Sequence, residues 1–154
     1  MQALDPSSKK RRKLFNILGA ALFVLVVAAV LVPHFLVSRL AKNEISAVKT
    51  LRNLKDVEQQ YAATHPSNGF TCELALLKPA LSDEEEIHEG LLFSEGYKFS
   101  LAGCKPGSDG VATRFRASAI PVKTGETGVR TLCIDQAGRL QYSLDGSPEN
   151  CKPM

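Results

Sequence analysis

The sequence predicts an α+β fold in which a long N-terminal helix packs on a roughly four-stranded antiparallel sheet. Residues 14–32 are an unbroken apolar run, and residues 38–64 continue it as an amphipathic helical pattern. From Gly96 onward, short segments alternate apolar and polar residues and are separated by Gly-containing connections. This order, one helix followed by a run of strands, is typical of the α+β class.

The apolar run predicts a transmembrane helix over residues 14–37. Residues 14–32 carry no charge, and their only polar side chain is Asn16. At about 1.5 Å of rise per residue, this segment is just long enough to cross a hydrocarbon core of about 30 Å. Pro33 is expected to kink the helix without ending it. The lipid bilayer is therefore the first expected partner.

A block of five basic residues precedes the apolar run: Lys9, Lys10, Arg11, Arg12 and Lys13. The positive-inside rule makes residues 1–13 a cytoplasmic tail of a single-pass membrane protein whose C-terminal part lies across the membrane. Two other interpretations are a secretory signal cleaved near Val27-Ala28-Ala29 and a nuclear localisation patch, although the latter ignores the apolar run. Bases and acids nearly balance beyond the block, which argues against nucleic acid as a partner.

Residues 38–64 are predicted to be an amphipathic helix of the folded domain, with one apolar stripe facing the sheet. It should end before His65-Pro66, because the residue before a proline avoids the α region. Residues 1–8 are expected to be disordered. The predicted sheet-facing stripe consists of Ala41, Ile45, Val48, Leu51, Leu54, Val57 and Tyr61.

Residues 65–154 are predicted to form an extracytoplasmic head with short helices and the antiparallel sheet. A helical turn is expected over 73–77, stopped by Pro79, and the capping-box pattern at 82–85 predicts a second short helix through Leu92. Alternation predicts four strands, at 97–101, 114–120, 129–134 and 140–144.

Four cysteines lie beyond the apolar run: Cys72, Cys104, Cys133 and Cys151. None is in a C-x-x-C pair, so a metal site is disfavoured, whereas an even count in a small exported domain favours two disulfides. The four thiols can pair in three ways, of which the sequential one closes the most local loops. Free buried thiols are the alternative.

No residue pattern indicates catalysis, a cofactor or a metal, so the chain is predicted not to be an enzyme. His34, His65 and His88 are isolated, the serines have no G-x-S-x-G context, and the glycines form no phosphate-binding motif. Asp135 and Asp145 stand at predicted turns, where Asp is favoured by local hydrogen bonding, and they are weak evidence for a calcium site.

Several segments together resemble type IV pilins and pseudopilins over residues 14–151. They are the proline and following residues at 33–36, the A-K-N-E-I-S-A-V stretch at 41–48, and sheet segments at 96–99, 119–122, 128–131 and 135–140. The resemblance implies a pilin-like fold, a structural role and other pilin-like subunits as partners through the N-terminal helix. It places the anchor in the inner membrane and the head, residues 65–154, in the periplasm. It also implies a C-terminal disulfide loop between Cys133 and Cys151.

The chain departs from that family at the processing site. The G-F-T-L-I-E signature of pilin precursors aligns with residues 11–16, which place Arg11 at the glycine and Asn16 at the glutamate. We therefore expect an unprocessed, non-polymerising or minor component of a type IV pilus or type II secretion system. The alternative is a periplasmic ligand-binding or sensing module on a pilin-like scaffold, with its ligand at loops 66–95 or 103–110.

Overall fold

A computed structural model describes residues 6–81 and 86–153 of the chain. The long helix α1 spans Pro6–Thr64, the one-turn helix α2 spans Leu74–Leu77, and 3-10 helices span Lys78–Ala80 and Pro148–Asn150. The chain divides into two compact units, Met1–Ser38 and Arg39–Met154. Within the first unit, the described residues are helical from Pro6 onward, so the disorder predicted for residues 6–8 is wrong. Residues 1–5 lie outside the described part.

The second unit contains an antiparallel meander in which each strand pairs with the next one along the chain. Its seven strands are β1 (Glu86–His88), β2 (Leu91–Ser94), β3 (Tyr97–Ala102), β4 (Arg116–Pro121), β5 (Thr131–Asp135), β6 (Leu140–Ser143) and β7 (Lys152–Pro153). The α+β class and the antiparallel sheet are confirmed. The four predicted strands correspond to β3–β6, and the sheet has three more than expected.

Two of the additional strands replace the short helix that was predicted to run through Leu92. The capping-box residues 82–85 lie outside the described residues, but β1 and β2 follow them as a hairpin with His88 opposite Leu91. The two connecting residues, Glu89 and Gly90, have φ of 51° and 77°. Such left-handed values suit a tight hairpin turn and are incompatible with a continuing α-helix.

The N-terminal half of the head keeps its predicted helical turn, but Pro79 does not stop it. α2 runs directly into the 3-10 helix Lys78–Ala80, with Pro79 in its first turn. Proline suits this position because its missing amide hydrogen has no partner there in any case. The chain turns extended at Leu81.

The buried face of α1 is rotated from the predicted stripe. Leu51, Leu54 and Val57 are buried as expected, but Ile45 is 72% exposed and Ala41 is exposed as well. Ala47, Thr50 and Glu58 are buried instead. Val48 and Tyr61 are half-buried.

The core lies between α1 and one face of the sheet. Its sheet-side members are Leu92, Tyr97, Phe99, Ala117, Ala119, Leu132 and Ile134. Ser118, Cys133 and Ser143, whose positions alternate with core residues along their strands, are also buried. The C-terminal 3-10 helix packs against β4, β5 and β6. Both faces of the central strands are therefore covered within the second unit.

Candidate membrane anchor and polar sites of the second unit

The apolar part of α1 is long and apolar enough to cross a membrane. Its most apolar window has a mean hydropathy of 2.8, and none of that window is buried. Large side chains such as Phe15, Phe23 and Leu25 are 77%, 69% and 67% exposed. Contiguous apolar surface of this kind marks an interaction site in a soluble chain and is ordinary in lipid. A secretory signal would meet the same criteria of length and composition.

The basic block predicted to set membrane topology lies on the helical backbone of α1. Within it, only the side chain of Lys13 is described, and it is exposed. Asn16, at the position of the family's glutamate, is exposed as well. The helix thus continues without a break through the position where a pilin precursor would be cut.

A polar cluster joins α1 to the loop between β4 and β5, and its helix members are the two residues that precede Ile45. Asn43 Nδ2 donates a hydrogen bond to the carbonyl oxygen of Thr127 at 2.9 Å, and Glu44 Oε1 lies 2.5 Å from Arg130 Nη2. The Arg130 guanidinium also lies 5.5 Å from the centre of the Tyr142 ring. Because Asn43 and Glu44 bind atoms of the β4–β5 loop, they orient this turn of α1 and leave Ile45 on the outer side.

Tyr97 extends the same cluster into the core. Its hydroxyl donates to the carbonyl oxygen of Arg130 at 3.3 Å, while its ring is fully buried. Burial and the nearby charge of Glu44 raise the pKa of Tyr97 to about 12, against the lowering effect of Arg130. A Cβ on Gly128 would overlap this hydroxyl, so the loop approaches the ring too closely for any other residue.

Glu58 is a buried carboxyl on α1 that the sequence pattern placed among the polar, outward-facing residues. Its side chain is fully buried, and Oε2 accepts a hydrogen bond from the Thr71 amide at 3.0 Å. Oε1 has no hydrogen-bond partner among the described residues. Burial raises the pKa of Glu58 to about 7, although the Thr71 amide acts in the opposite direction.

The four cysteines form two disulfides, Cys72–Cys104 and Cys133–Cys151, with Cα–Cα distances of 5.6 and 6.3 Å. This is the sequential pairing, and no cysteine is free. The alternative of free buried thiols is therefore wrong. The first disulfide ties the segment after α1 to the end of β3, and the second ties β5 to the C-terminal segment.

The predicted turn carboxylates are each satisfied within their own turn. Asp135 accepts hydrogen bonds from the Ala137 and Arg139 amides and from Arg139 Nε; burial acts to raise its pKa, but these bonds lower it below the ordinary value. Hydrogen bonds from Ser143, the Ser147 amide and Asn150 lower the pKa of Asp145 to about 2. Over the described ranges, no three His, Cys, Asp or Glu side chains converge on a point.

The histidines occupy three separate settings. His34 is exposed on α1, and His65 stacks on Tyr61 with ring centroids 4.1 Å apart. His88 lies at the end of β1, and its ring centroid is 6.3 Å from that of Phe93. The structure does not bring the three together with any of the turn carboxylates described above.

No protein-family model matches this chain, and comparisons with curated proteins and with solved structures return no match.

Proposed function

We propose that this protein is a single-pass, membrane-anchored structural subunit of the pilin-like type, which serves a type IV pilus or type II secretion assembly as a minor or non-polymerising component. The observation that supports it best is the difference between the N-terminal and C-terminal parts of α1. Its N-terminal part is apolar and buries none of its most apolar window, whereas its C-terminal part provides one side of a disulfide-bonded core.

The composition of the anchor suits association with other apolar helices. Its exposed surface carries the small residues Gly19, Ala20 and Ala21, with Ala28 and Ala29 two turns further on. Small residues allow close approach of helix backbones in lipid, where packing and not hydrophobicity drives association. A subunit held in the inner membrane by an uncut basic tail would use this surface to contact neighbouring subunits.

The absence of filament formation by the ordinary route is proposed from Arg11 and Asn16. A prepilin peptidase cuts after glycine, and Arg11 occupies that position; the carboxylate that contacts a neighbour's terminal amine is replaced by the neutral Asn16. Arg11 therefore removes the residue after which the peptidase cuts, and Asn16 removes the carboxylate on which the ordinary assembly route depends. The proposed subunit therefore stays anchored through its full-length helix.

The experiment that tests this function is the intact mass of protein extracted from alkali-washed membranes, before and after reduction. We expect the full-length mass, rising on reduction by the hydrogens that two disulfides take up. A chain that begins at residue 12 with a methylated N-terminus would instead be a processed pilin. A chain that begins after Ala29 would be a secreted domain, and the proposed function would be wrong.

A matched variant tests the family resemblance itself. Arg11→Gly combined with Asn16→Glu restores the two family residues, so in a host that has a prepilin peptidase this variant should be cut after position 11 while the natural chain is not. Arg12→Gly with the same change at Asn16 places the glycine one residue out of register and serves as the control. If the restored variant stays uncut, the resemblance does not extend to processing.

A periplasmic ligand-binding module remains the second candidate, because one cavity of the second unit concentrates unpaired positive charge. That cavity does not depend on the anchor and is considered next.

A further inference from the structure

We infer that a cavity at one end of the sheet, here called the arginine cavity, binds the phosphate group of an anionic ligand. The cavity has a volume of about 520 Å³. Its lining consists of Ala102, Gly103, Arg114, Phe115, Arg116, Asp135, Gln136 and Arg139. Three arginines and one aspartate therefore line a single concave site.

The sheet register builds this site from three adjacent strands. Ala102 at the end of β3 is opposite Arg116 at the start of β4, and Arg116 is opposite Asp135 at the end of β5. Arg114 enters from the segment just before β4, and Arg139 enters from the turn between β5 and β6. Strand pairing rather than loop conformation thus fixes the spacing of Arg116 and Asp135.

The charges of the arginine cavity are unequally compensated. Arg139 Nε lies 2.6 Å from Asp135 Oδ2, so this pair is neutral as a unit. Among the described residues, neither Arg114 nor Arg116 forms an ion pair with a carboxylate. Within the described parts of the chain, the Arg116 guanidinium donates to the Pro148 carbonyl oxygen at 3.4 Å. The lining is left with an excess of two positive charges.

Neighbouring charges do not remove this excess. Lys55, which approaches the β5–β6 turn at Gly138, is paired with Asp56 at 2.6 Å. Gln59 donates to the Gln136 carbonyl oxygen at 3.3 Å and adds no charge. By contrast, Arg130, which directly precedes β5, has its own carboxylate in Glu44. The excess positive charge of the lining therefore comes from Arg114 and Arg116.

The chemistry of the lining selects a phosphate group over a lone carboxylate. Guanidinium presents a planar fork of donors that matches phosphate oxygens in pairs. A phosphate monoester carries a charge of about −1.5 to −2 at neutral pH, which balances the two unpaired arginines, whereas a carboxylate carries only one charge. The buried Phe115 and the small Ala102 and Gly103 supply a wall without acidic groups for the rest of the ligand.

The test uses the full-length chain in discs of phosphatidylcholine, titrated with inorganic phosphate and with a phosphate monoester by calorimetry. We expect saturable binding that weakens at least about tenfold in Arg114→Gln/Arg116→Gln, because two charge-assisted contacts are lost. Lys78→Gln/Lys123→Gln removes the same charge from exposed positions and should change the affinity less than about twofold. Binding that is absent, or weakened equally by both variants, would overturn the proposal.

Two further arms complete the design. Arg114→Lys/Arg116→Lys keeps the charge but loses the paired donors, so its affinity should fall between those of the natural chain and the glutamine variant, provided that the disulfides and circular dichroism remain native. Discs containing phosphatidic acid, compared with discs of equal charge made with a fatty acid, distinguish the source of the phosphate. Weaker apparent binding of free phosphate only with phosphatidic acid identifies a lipid headgroup; equal binding in both discs identifies a soluble ligand.

Discussion

Glu58 has a titratable carboxyl in a fully buried position, where burial opposes its ionisation. Its carboxyl is fully buried, one oxygen is held by the Thr71 amide, and the other has no partner among the described residues. No charged side chain contributes to the raised pKa, whose causes are burial and the opposing amide hydrogen bond. Burial therefore shifts the carboxyl towards its protonated form in the folded chain.

The raised pKa of Glu58 predicts that the stability of the folded chain falls as pH rises. Because the folded-state pKa of about 7 exceeds the ordinary value of 4.5, the stabilising contribution is complete below pH 4.5 and is lost as pH rises to about 7. We expect the free energy of unfolding to fall by roughly 1–3 kcal/mol across that window. Urea unfolding of the full-length chain in uncharged detergent, at intervals from pH 4.5 to 8, measures it.

Glu58→Gln removes the titrating group while keeping an acceptor for the Thr71 amide. Its stability should be nearly flat over the same pH range and should equal or exceed that of the natural chain at pH 8. Glu126→Gln, at an exposed residue that pairs only with Lys123, should keep the natural slope. A natural chain without the slope would show that Glu58 is hydrated or paired in solution.

Glu58 also marks a limit of residue-scale prediction from the sequence. A helical pattern assigns a glutamate to the solvent side, and only the tertiary structure reveals that the segment after α1 folds back to place the Thr71 amide against it. The same limit explains Asn43 and Glu44, whose partners Thr127 and Arg130 are distant in sequence. Apolar periodicity carries no information about such long-range polar contacts.

At the scale of one helix, the rotated face of α1 makes a direct prediction. Leu54 is fully buried in the core. Leu54→Ala should therefore lower the free energy of unfolding by about 2–5 kcal/mol, through lost apolar burial and the cavity left behind. Ile45 is 72% exposed, so Ile45→Ala should change stability by less than about 0.5 kcal/mol. Urea unfolding in uncharged detergent compares the two variants.

The sheet-facing stripe predicted from the sequence would instead make Ile45→Ala destabilising, since that stripe places Ile45 against the sheet. A loss of more than about 1 kcal/mol in Ile45→Ala would favour the stripe over the rotated face. Leu51→Ala provides a second core position on the same helix, because Leu51 is also fully buried. Leu54→Ala and Leu51→Ala should both unfold at lower urea concentrations than Ile45→Ala.

Strands were predictable where alternation ran for five or more residues. β3 to β6 follow the alternating segments to within about two residues, and the end of α1 at Thr64 agrees with the effect of the following His65-Pro66. β1 and β2 were not predictable because acidic residues before them suggested a helix start, while the decisive feature is a left-handed turn at Glu89 and Gly90. β7 is too short for any period to emerge.

For the arginine cavity, the sequence shows which arginines are present, but it does not show that they lie close together in the fold. Arg114 and Arg116 alternate with Phe115 and Ala117, so a shared side for the two arginines follows from strand periodicity. The approach of Arg139 depends on the β4–β5 register, which places Asp135 opposite Arg116. Of the described residues in the loops predicted to hold a ligand, 66–95 and 103–110, Gly103 is the one that lines the cavity.

At the scale of the whole molecule, the two disulfides provide a test of the proposed membrane orientation. Thiols oxidise in a bacterial periplasm and stay reduced in the cytoplasm. The structure pairs all four cysteines, and all of them belong to the second unit. A chain inserted with its second unit in the cytoplasm would therefore carry four free thiols.

This property makes orientation measurable without a fusion partner. The five basic residues 9–13 are proposed to hold the N-terminus in the cytoplasm, so replacing all of them with glutamine should invert a fraction of the chains. Maleimide-polyethylene glycol, added to denatured and unreduced protein from washed membranes, should leave the natural chain unshifted on a gel. In the glutamine variant, a population shifted by four adducts should appear.

The control removes positive charge from the other side of the anchor. Lys42, Lys49 and Arg52 lie beyond the apolar run, and their replacement by glutamine strengthens the charge asymmetry, so every chain should remain unshifted. Since Lys49 and Arg52 are exposed and form no ion pair among the described residues, these changes should leave the fold intact. If the five-glutamine variant stays fully oxidised, the basic block does not determine orientation. The proposed cytoplasmic location of residues 1–13 would then lose its main argument.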